Sequence, residues 1–279
     1  MQPTLHTTVE RIEAARRLIE ARLDDEPSLD ELAEAAALSP FHFHRLFRGL
    51  TGETVREFGR RLRLERAAHR LEHGEEDLLE IALAIGYSSH EAFARAFKKH
   101  FGASPSEYRG GTRAERAESP PREPGLAVRF EEREPCRVAY VRHEGPYSDV
   151  GEAWKALMKW GWTKLVFGSP TIFGLCFDDP DVTPAERLRY EACMVVGPRT
   201  KPRGPVQLRD LPGGPYAIAT HRGDYASIGE TYAELFASVD GSARYRLGDP
   251  PSLEVYVNDP RKTPPSKLIT EVWMPVLPR

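Results

Sequence analysis

Ser89-His90-Glu91-Ala92-Phe93-Ala94-Arg95-Ala96-Phe97-Lys98 stands 50 residues after Ser39-Pro40-Phe41-His42-Phe43-His44-Arg45-Leu46-Phe47-Arg48, and the two stretches are one pattern written twice. The match runs on through Gly52 with Gly102 and Phe58 with Tyr108. Upstream, Leu32-Ala33 and Ala37-Leu38 answer Ile81-Ala82 and Gly86-Tyr87 at a spacing of 49, so the second turn is one residue longer. Each copy reads as a helix, a turn and a second helix. Phe43, Leu46 and Phe47 recur at i, i+3 and i+4 and predict the buried face of one helix; Phe93, Ala96, Phe97 and Phe101 predict the other. Ser39 before Pro40, and Ser89, predict N-caps, and Ser28 with Glu31 predicts a capping box on the first supporting helix. Ala33/Ala37 and Ala82/Gly86 put small residues four apart, where a second helix is expected to cross closely.

The opposite faces suit DNA. Phe41, His44, Arg45 and Arg48 line the first, and His90, Glu91, Arg95 and Lys98 the second. An arginine pairs bidentately with guanine, whereas the outer arginines and lysines suit phosphates. Thr54 to His73 reads as one helix with apolar anchors at Val55, Phe58, Leu62 and Leu71. Twenty residues of helix span about 30 Å, close to the roughly 34 Å between successive major grooves on one face of B-DNA. A single chain is therefore expected to reach two adjacent grooves.

Residues 5–110 resemble the DNA-binding domain of the AraC family of transcription regulators, on Gly86-Tyr87, Phe93, Arg95-Ala96-Phe97-Lys98, Phe101-Gly102, Ser104-Pro105 and Tyr108-Arg109. The resemblance implies base contacts from Phe41, His44 and Arg45, and from His90, Glu91 and Arg95. At His44 and His90 relatives carry glutamine, so the DNA sequence read does not carry over.

The chain's 279 residues leave room for two domains. No run of 18 apolar residues suggests a membrane span, and Met1 to His6 lacks the basic and apolar regions of a signal peptide, so a cytoplasmic protein is expected. Cys136, Cys176 and Cys193 fit reduced core thiols rather than a disulfide set, and no spacing calls for a metal or a cofactor. Residues 1–34 carry nine acids against four arginines, whereas residues 35–118 carry 14 basic and 12 acidic side chains. The basic groups fall on the two reading helices and on the middle helix, at Arg56, Arg60, Arg61, Arg63, Arg66 and Arg70. Weak non-specific DNA affinity and a modest salt slope are expected.

Residues 111–125, rich in Gly and Pro, read as an exposed linker after a first domain at 1–110. From 126 onward the chain repeats itself at an offset of 78 to 80, in copies of about 126–200 and 204–279. His143-x-Gly145-x-Tyr147 and Gly151-Glu152-x-Trp154 answer His221-x-Gly223-x-Tyr225 and Gly229-Glu230-x-Tyr232; Phe173–Pro180 answers Leu253–Pro260; Tyr190-Glu191 answers Thr270-Glu271. Each copy reads strand, strand, helix, strand, strand. The fold class expected is an all-α tandem helix-turn-helix domain of about seven helices, then an α+β domain of two pseudo-symmetric βαββ-type modules. A cleft between related halves is a common place for a small-molecule pocket.

Glu191 and Glu271 sit mid-strand, Glu271 on the face of Trp273 and Glu191 on that of Cys193. Such an acid either pairs with an arginine or waits for a cationic ligand among aromatic rings. Residues 126–279 resemble the GyrI-like effector domain, on His143-x-Gly145-x-Tyr147, Gly151-Glu152-x-Trp154 and Thr270-Glu271-x-Trp273-Met274-Pro275-Val276. The resemblance implies that Glu271 lies at the base of a pocket for lipophilic cations. Trp273, Glu191, Tyr147, Tyr225, Phe173 and Tyr256 are the remaining candidate ligand contacts, with Trp160 and Trp162 as further walls. The order of the two domains is that of the Rob type of regulator, which implies double-stranded DNA, a small-molecule effector and RNA polymerase as partners. The rival reading is a hydrolase in which a pocket Glu acts with a Tyr.

Overall fold

A computed structural model of the chain describes residues 8–74, 76–118, 126–166, 171–249 and 251–279. The stretch Met1–His6 and the Pro-rich part of the expected linker, 119–125, lie outside the described residues. The chain divides into two compact units, Met1–Glu118 and Ser119–Arg279. No described helix is long and apolar enough to cross a membrane.

The first unit is all helix: α1 (Thr8–Ala21), α2 (Leu29–Ala35), α3 (Pro40–Thr51), α4 (Val55–His73), α5 (Leu78–Ala84), α6 (His90–Phe101) and α7 (Pro105–Glu118). Local chemistry starts most of them. Ser28 with Glu31, Thr54 with Glu57 and Asp77 with Glu80 each form a capping box, and Ser89 Oγ accepts from Ala92 N. Ser39 is the exception: it holds the N-cap position of α3 without a side-chain bond, and Pro40, already fixed in φ, starts the helix. Phe43 and Phe47 bury against Phe58 and Leu62 of α4 and Ile12 and Ile19 of α1. In the second copy Phe93 meets Phe97, and Phe97 meets Tyr108 of α7 edge-on.

Two expectations change here. Ala37 and Gly86 lie past the ends of α2 and α5, in the turns, at φ +51° and +84°. They supply the left-handed residue that swings each supporting helix into its reading helix, while Ala33 and Ala82 alone take the close packing. Arg11 Nη1 donates to the Ala37 carbonyl at 2.9 Å and ties the first turn to α1. The expected linker begins later than predicted, since α7 runs through Gly110 and Gly111 to Glu118. A capping box, Ser104 with Glu107, starts it and its continuity overrides the two glycines.

The second unit is one antiparallel sheet with two helices. Its first module comprises β1 (Arg129–Arg133), β2 (Cys136–Glu144), α8 (Gly151–Val166), β3 (Ile172–Cys176) and β4 (Arg189–Val195). Its second comprises β5 (Gln207–Leu211), β6 (Gly214–Arg222), α9 (Ile228–Asp240), β7 (Tyr245–Leu247), β8 (Ser252–Tyr256) and β9 (Ile269–Pro278). The strand order is β1-β6-β9-β8-β3-β4-β2-β5, with β7 on the far part of β9. The modules join through β3 and β8, where Gly174 lies opposite Glu254, and they exchange leading strands: β1 pairs with β6, and β5 with β2. Both helices cover the same face, α8 over Ala139, Ala192 and Met194, and α9 over Ala217, Ala219 and Val272. The opposite face carries Val138, Tyr140, Phe173, Leu175 and Leu253.

An alanine in the left-handed region costs about 1 kcal/mol or more, which glycine avoids at an unfolded-state cost of about 0.4–1 kcal/mol. In urea unfolding of the full chain, Ala37→Gly is therefore expected to raise stability by up to about 0.5 kcal/mol, and Gly86→Ala to lower it by about 1 kcal/mol.

Candidate functional site

On α3 the residues at 41, 44, 45 and 48 fall on one stripe and all are exposed, Phe41 to 80%. On α6 Glu91, Arg95 and Lys98 are exposed and His90 is half-buried at the helix start. The Glu91 carboxyl is held below its usual range by its own backbone N–H and by the Ser89 hydroxyl, with smaller help from His90 and Arg95. Arg45, Arg48, Arg95 and Lys98 make no ion pair among the described residues. The middle helix differs. Arg61 is bound bidentately by Glu53 and also by Glu65, and Arg63, Arg66 and Arg70 pair with Glu26, Asp24 and Glu76. Of the six arginines that fall on the middle helix, Arg56 and Arg60 are exposed without such a partner. Asp24 and Glu26 of the first 34 residues thus neutralise Arg66 and Arg63, while Glu53, Glu65 and Glu76 neutralise Arg61 and Arg70.

In the second unit the predicted ligand residues fall on two faces of the sheet. Glu191, Glu271, Trp273 and Phe173 lie on the face away from the helices; Tyr147, Tyr225 and Tyr256 lie on the helix-bearing face. The acids on the first face are paired. Glu191 is fully buried and accepts from Arg209 Nη1 at 2.8 Å, with Arg142 Nη1 3.9 Å away. Glu271 accepts from Arg129 Nη2 at 2.7 Å and from Trp273 Nε1 at 3.1 Å. Arg129 and Arg209 come from the exchanged leading strands, so each module's acid is locked by an arginine of the other. The Arg133 and Arg209 guanidiniums lie over the rings of Phe173 and Tyr140. Of the two readings of Glu271, the arginine pair is the one the structure displays, joining β9 to the exchanged strand β1. Of the further walls, Trp162 is exposed and Trp160 packs beside α8's own core.

The carboxylate on the helix-bearing face is Glu254 of β8. Tyr256 Oη donates to one oxygen at 3.2 Å and Tyr232 Oη to the other at 3.3 Å, and no cation pairs with it among the described residues. Burial pushes its carboxyl above the usual range, against the pull of Tyr256, Cys176 and Tyr232. The aromatic wall is continuous. Tyr256 meets Trp154 edge-on at 5.4 Å and Tyr225 at 5.9 Å, while Tyr190 bridges Trp154 Nε1 and Tyr256 Oη at 3.0 and 2.8 Å. Because an indole N–H only donates and Tyr256 spends its one hydrogen on the Glu254 carboxylate, the hydrogens run one way, from Trp154 to Tyr190 to Tyr256 to Glu254. Sequence reasoning missed Glu254, Tyr190 and Tyr232. The signal was present in the match of Phe173–Pro180 to Leu253–Pro260, which sets a glycine, Gly174, against Glu254 and puts Glu254 on the face of Tyr256. His143 and His221 close the turns before α8 and α9, each Nε2–H donating to the carbonyl three residues on.

A tandem helix-turn-helix unit followed by a duplicated module with a carboxylate-floored aromatic cleft is the build of a one-component transcription regulator. Residues 126–277 match the GyrI-like small molecule binding domain and residues 32–111 a helix-turn-helix domain. The chain belongs to the AraC-family regulators of the Rob type, in which a GyrI-like domain follows the DNA reader. Among curated relatives, the regulatory protein SoxS of Salmonella typhimurium is 34% identical over 91 residues, 33% of this chain and 85% of that protein. The right origin-binding protein of Escherichia coli K12 is 37% identical over 91 residues, but that match spans only 32% of its length. Among solved structures, the EcmrR C-terminal domain is 20% identical at a TM-score of 0.44, covering 55% of this chain and 98% of that one.

Glu191→Gln removes the charge that holds Arg209 and Arg142. It is expected to destabilise the chain by about 1–3 kcal/mol in urea unfolding followed by tryptophan fluorescence, the cost of leaving a buried partner poorly satisfied.

Proposed function

We propose that this regulator reads two adjacent major grooves through α3 and α6 and senses a lipophilic cation in the Glu254 cleft. The observation that carries the sensor reading is Glu254 itself. A carboxylate walled by aromatic rings and lacking a cationic partner is costly unless a ligand supplies the charge, and rings around a cation add about 0.5–2 kcal/mol. In this reading Phe41, His44 and Arg45, with His90, Glu91 and Arg95, face base edges, while Arg48 and Lys98 hold phosphates. The nineteen residues of α4 span about 28 Å, which suits heads placed one helical turn apart. Double-stranded DNA and the effector are the partners, and RNA polymerase is the machinery that answers to them.

Arg45→Ala and Arg95→Ala are each expected to cost about 1–3 kcal/mol at the specific site, measured by fluorescence anisotropy, with little change on random DNA. Equal losses on both would make these phosphate contacts. In titration calorimetry with methyltriphenylphosphonium, Glu254→Gln is expected to weaken binding at least about tenfold, and Glu271→Gln by less than about threefold. Conversion of a reactive ester or epoxide by the wild type, lost in Glu254→Gln, would replace the sensor with an enzyme.

A further inference from the structure

The two modules differ most where the sheet crosses the pseudo-twofold, at β3 and β8. At equivalent places module one has Gly174 and Tyr190, and module two has Glu254 and Thr270. Tyr190 is only 2% exposed and its ring lies over Gly174, where an added Cβ would clash with the Tyr190 hydroxyl and ring. The hydroxyl is then pinned by Trp154 and Tyr256. In module two the small Thr270 leaves the floor to Glu254, whose residue, like Tyr225, Tyr232 and Tyr256, keeps partial solvent contact. Module one thus buries a tyrosine where module two leaves a carboxylate and its aromatic neighbours in partial contact with solvent.

Resting on the reading of Glu254 as the seat of a cation, we propose that Tyr190 is the residue that sets specificity for ligand length. Its ring plugs the module-one half of the cleft, so the site takes one compact lipophilic cation and shuts out an extended tail. Two features make the plug a built one. A phenol held by both a donor and an acceptor, over a position where only glycine fits, has one placement. The hydrogens it passes on also end at the ligand's own carboxylate, so head recognition and tail exclusion share a single bonded chain.

The experiment is titration calorimetry of the full chain with methyltriphenylphosphonium and decyltriphenylphosphonium, which share a head and differ in tail. Wild type and Tyr190→Phe, which keeps the ring, are expected to bind the two within about threefold. Tyr190→Thr copies the residue that module two already carries, and is expected to bind the decyl probe at least about tenfold tighter than the methyl one, the gain of burying roughly two methylenes. A second variant, Tyr190→Val, repeats the test should the threonine not fold, and far-ultraviolet circular dichroism reports folding of both. A tenfold decyl preference already in the wild type, or equal binding of both probes by the opened variants, overturns the plug. Methyl probe binding that is lost in Glu254→Gln shows that the cation reading stands even then. No binding of either probe to any of the proteins overturns both.

Discussion

No repeat in this chain buries all of its apolar surface alone, and the architecture follows from that constraint. A helix-turn-helix copy is two short helices with one apolar side. Phe43 and Phe47 find cover only because α4 brings Phe58 and Leu62 and α1 brings Ile12 and Ile19. The second copy leans on the same α4 and on Tyr108 of α7. In the other unit each module sends its leading strand to its twin and seals the seam through β3 and β8. Apolar burial contributes about 25 cal/mol per Å²; each module gains part of it under its own helix and the rest across the exchanged strands and the seam. The spacing of the reading helices is consequently a property of α4, a packed rod, rather than of a linker.

Features present in both copies serve the fold, and departures from the repeat mark the function. The turn histidines occur twice and close turns twice. The mid-strand acids occur twice, and each is met by an arginine from the exchanged strand. Gly174 against Glu254, and Tyr190 against Thr270, break the correspondence within one cleft. In the first unit the copies keep Phe43 with Phe93 and Phe47 with Phe97 in the core, and differ on the outer faces, at 41 and 44 against 91 and 94.

Much of this was legible in the chain itself. The 50-residue and 78-to-80-residue repeats place the reading helices, α4 and the strands. Period-two alternation says which residues share a face, but both faces of this sheet are apolar, so it does not say which face the helices cover. Glu271 drew attention because Trp273 flanks it, and its arginine is 142 residues away in the chain, beyond any local pattern. The partners of Arg63 and Arg66 on α4 escape local pattern for the same reason: Glu26 and Asp24 reach them from a distant loop. Gly110 and Gly111 signal a break that an established helix simply runs through.

The cleft also shows how a ligand could change the protein rather than merely occupy it. Regulation requires that the ligand bind two states unequally, by about 1.4 kcal/mol for each tenfold shift. Glu254 accepts from Tyr232 on α9 and, through Tyr256 and Tyr190, ends a chain that starts at Trp154 on α8. Both helices are therefore tied to the carboxylate that a cation would claim. A hydrogen bond to a charged group contributes about 1.5–3 kcal/mol net. Releasing one or two of these bonds as the cation takes the oxygens is already enough, with no new surface, to separate the liganded and unliganded states by the tenfold that a switch needs.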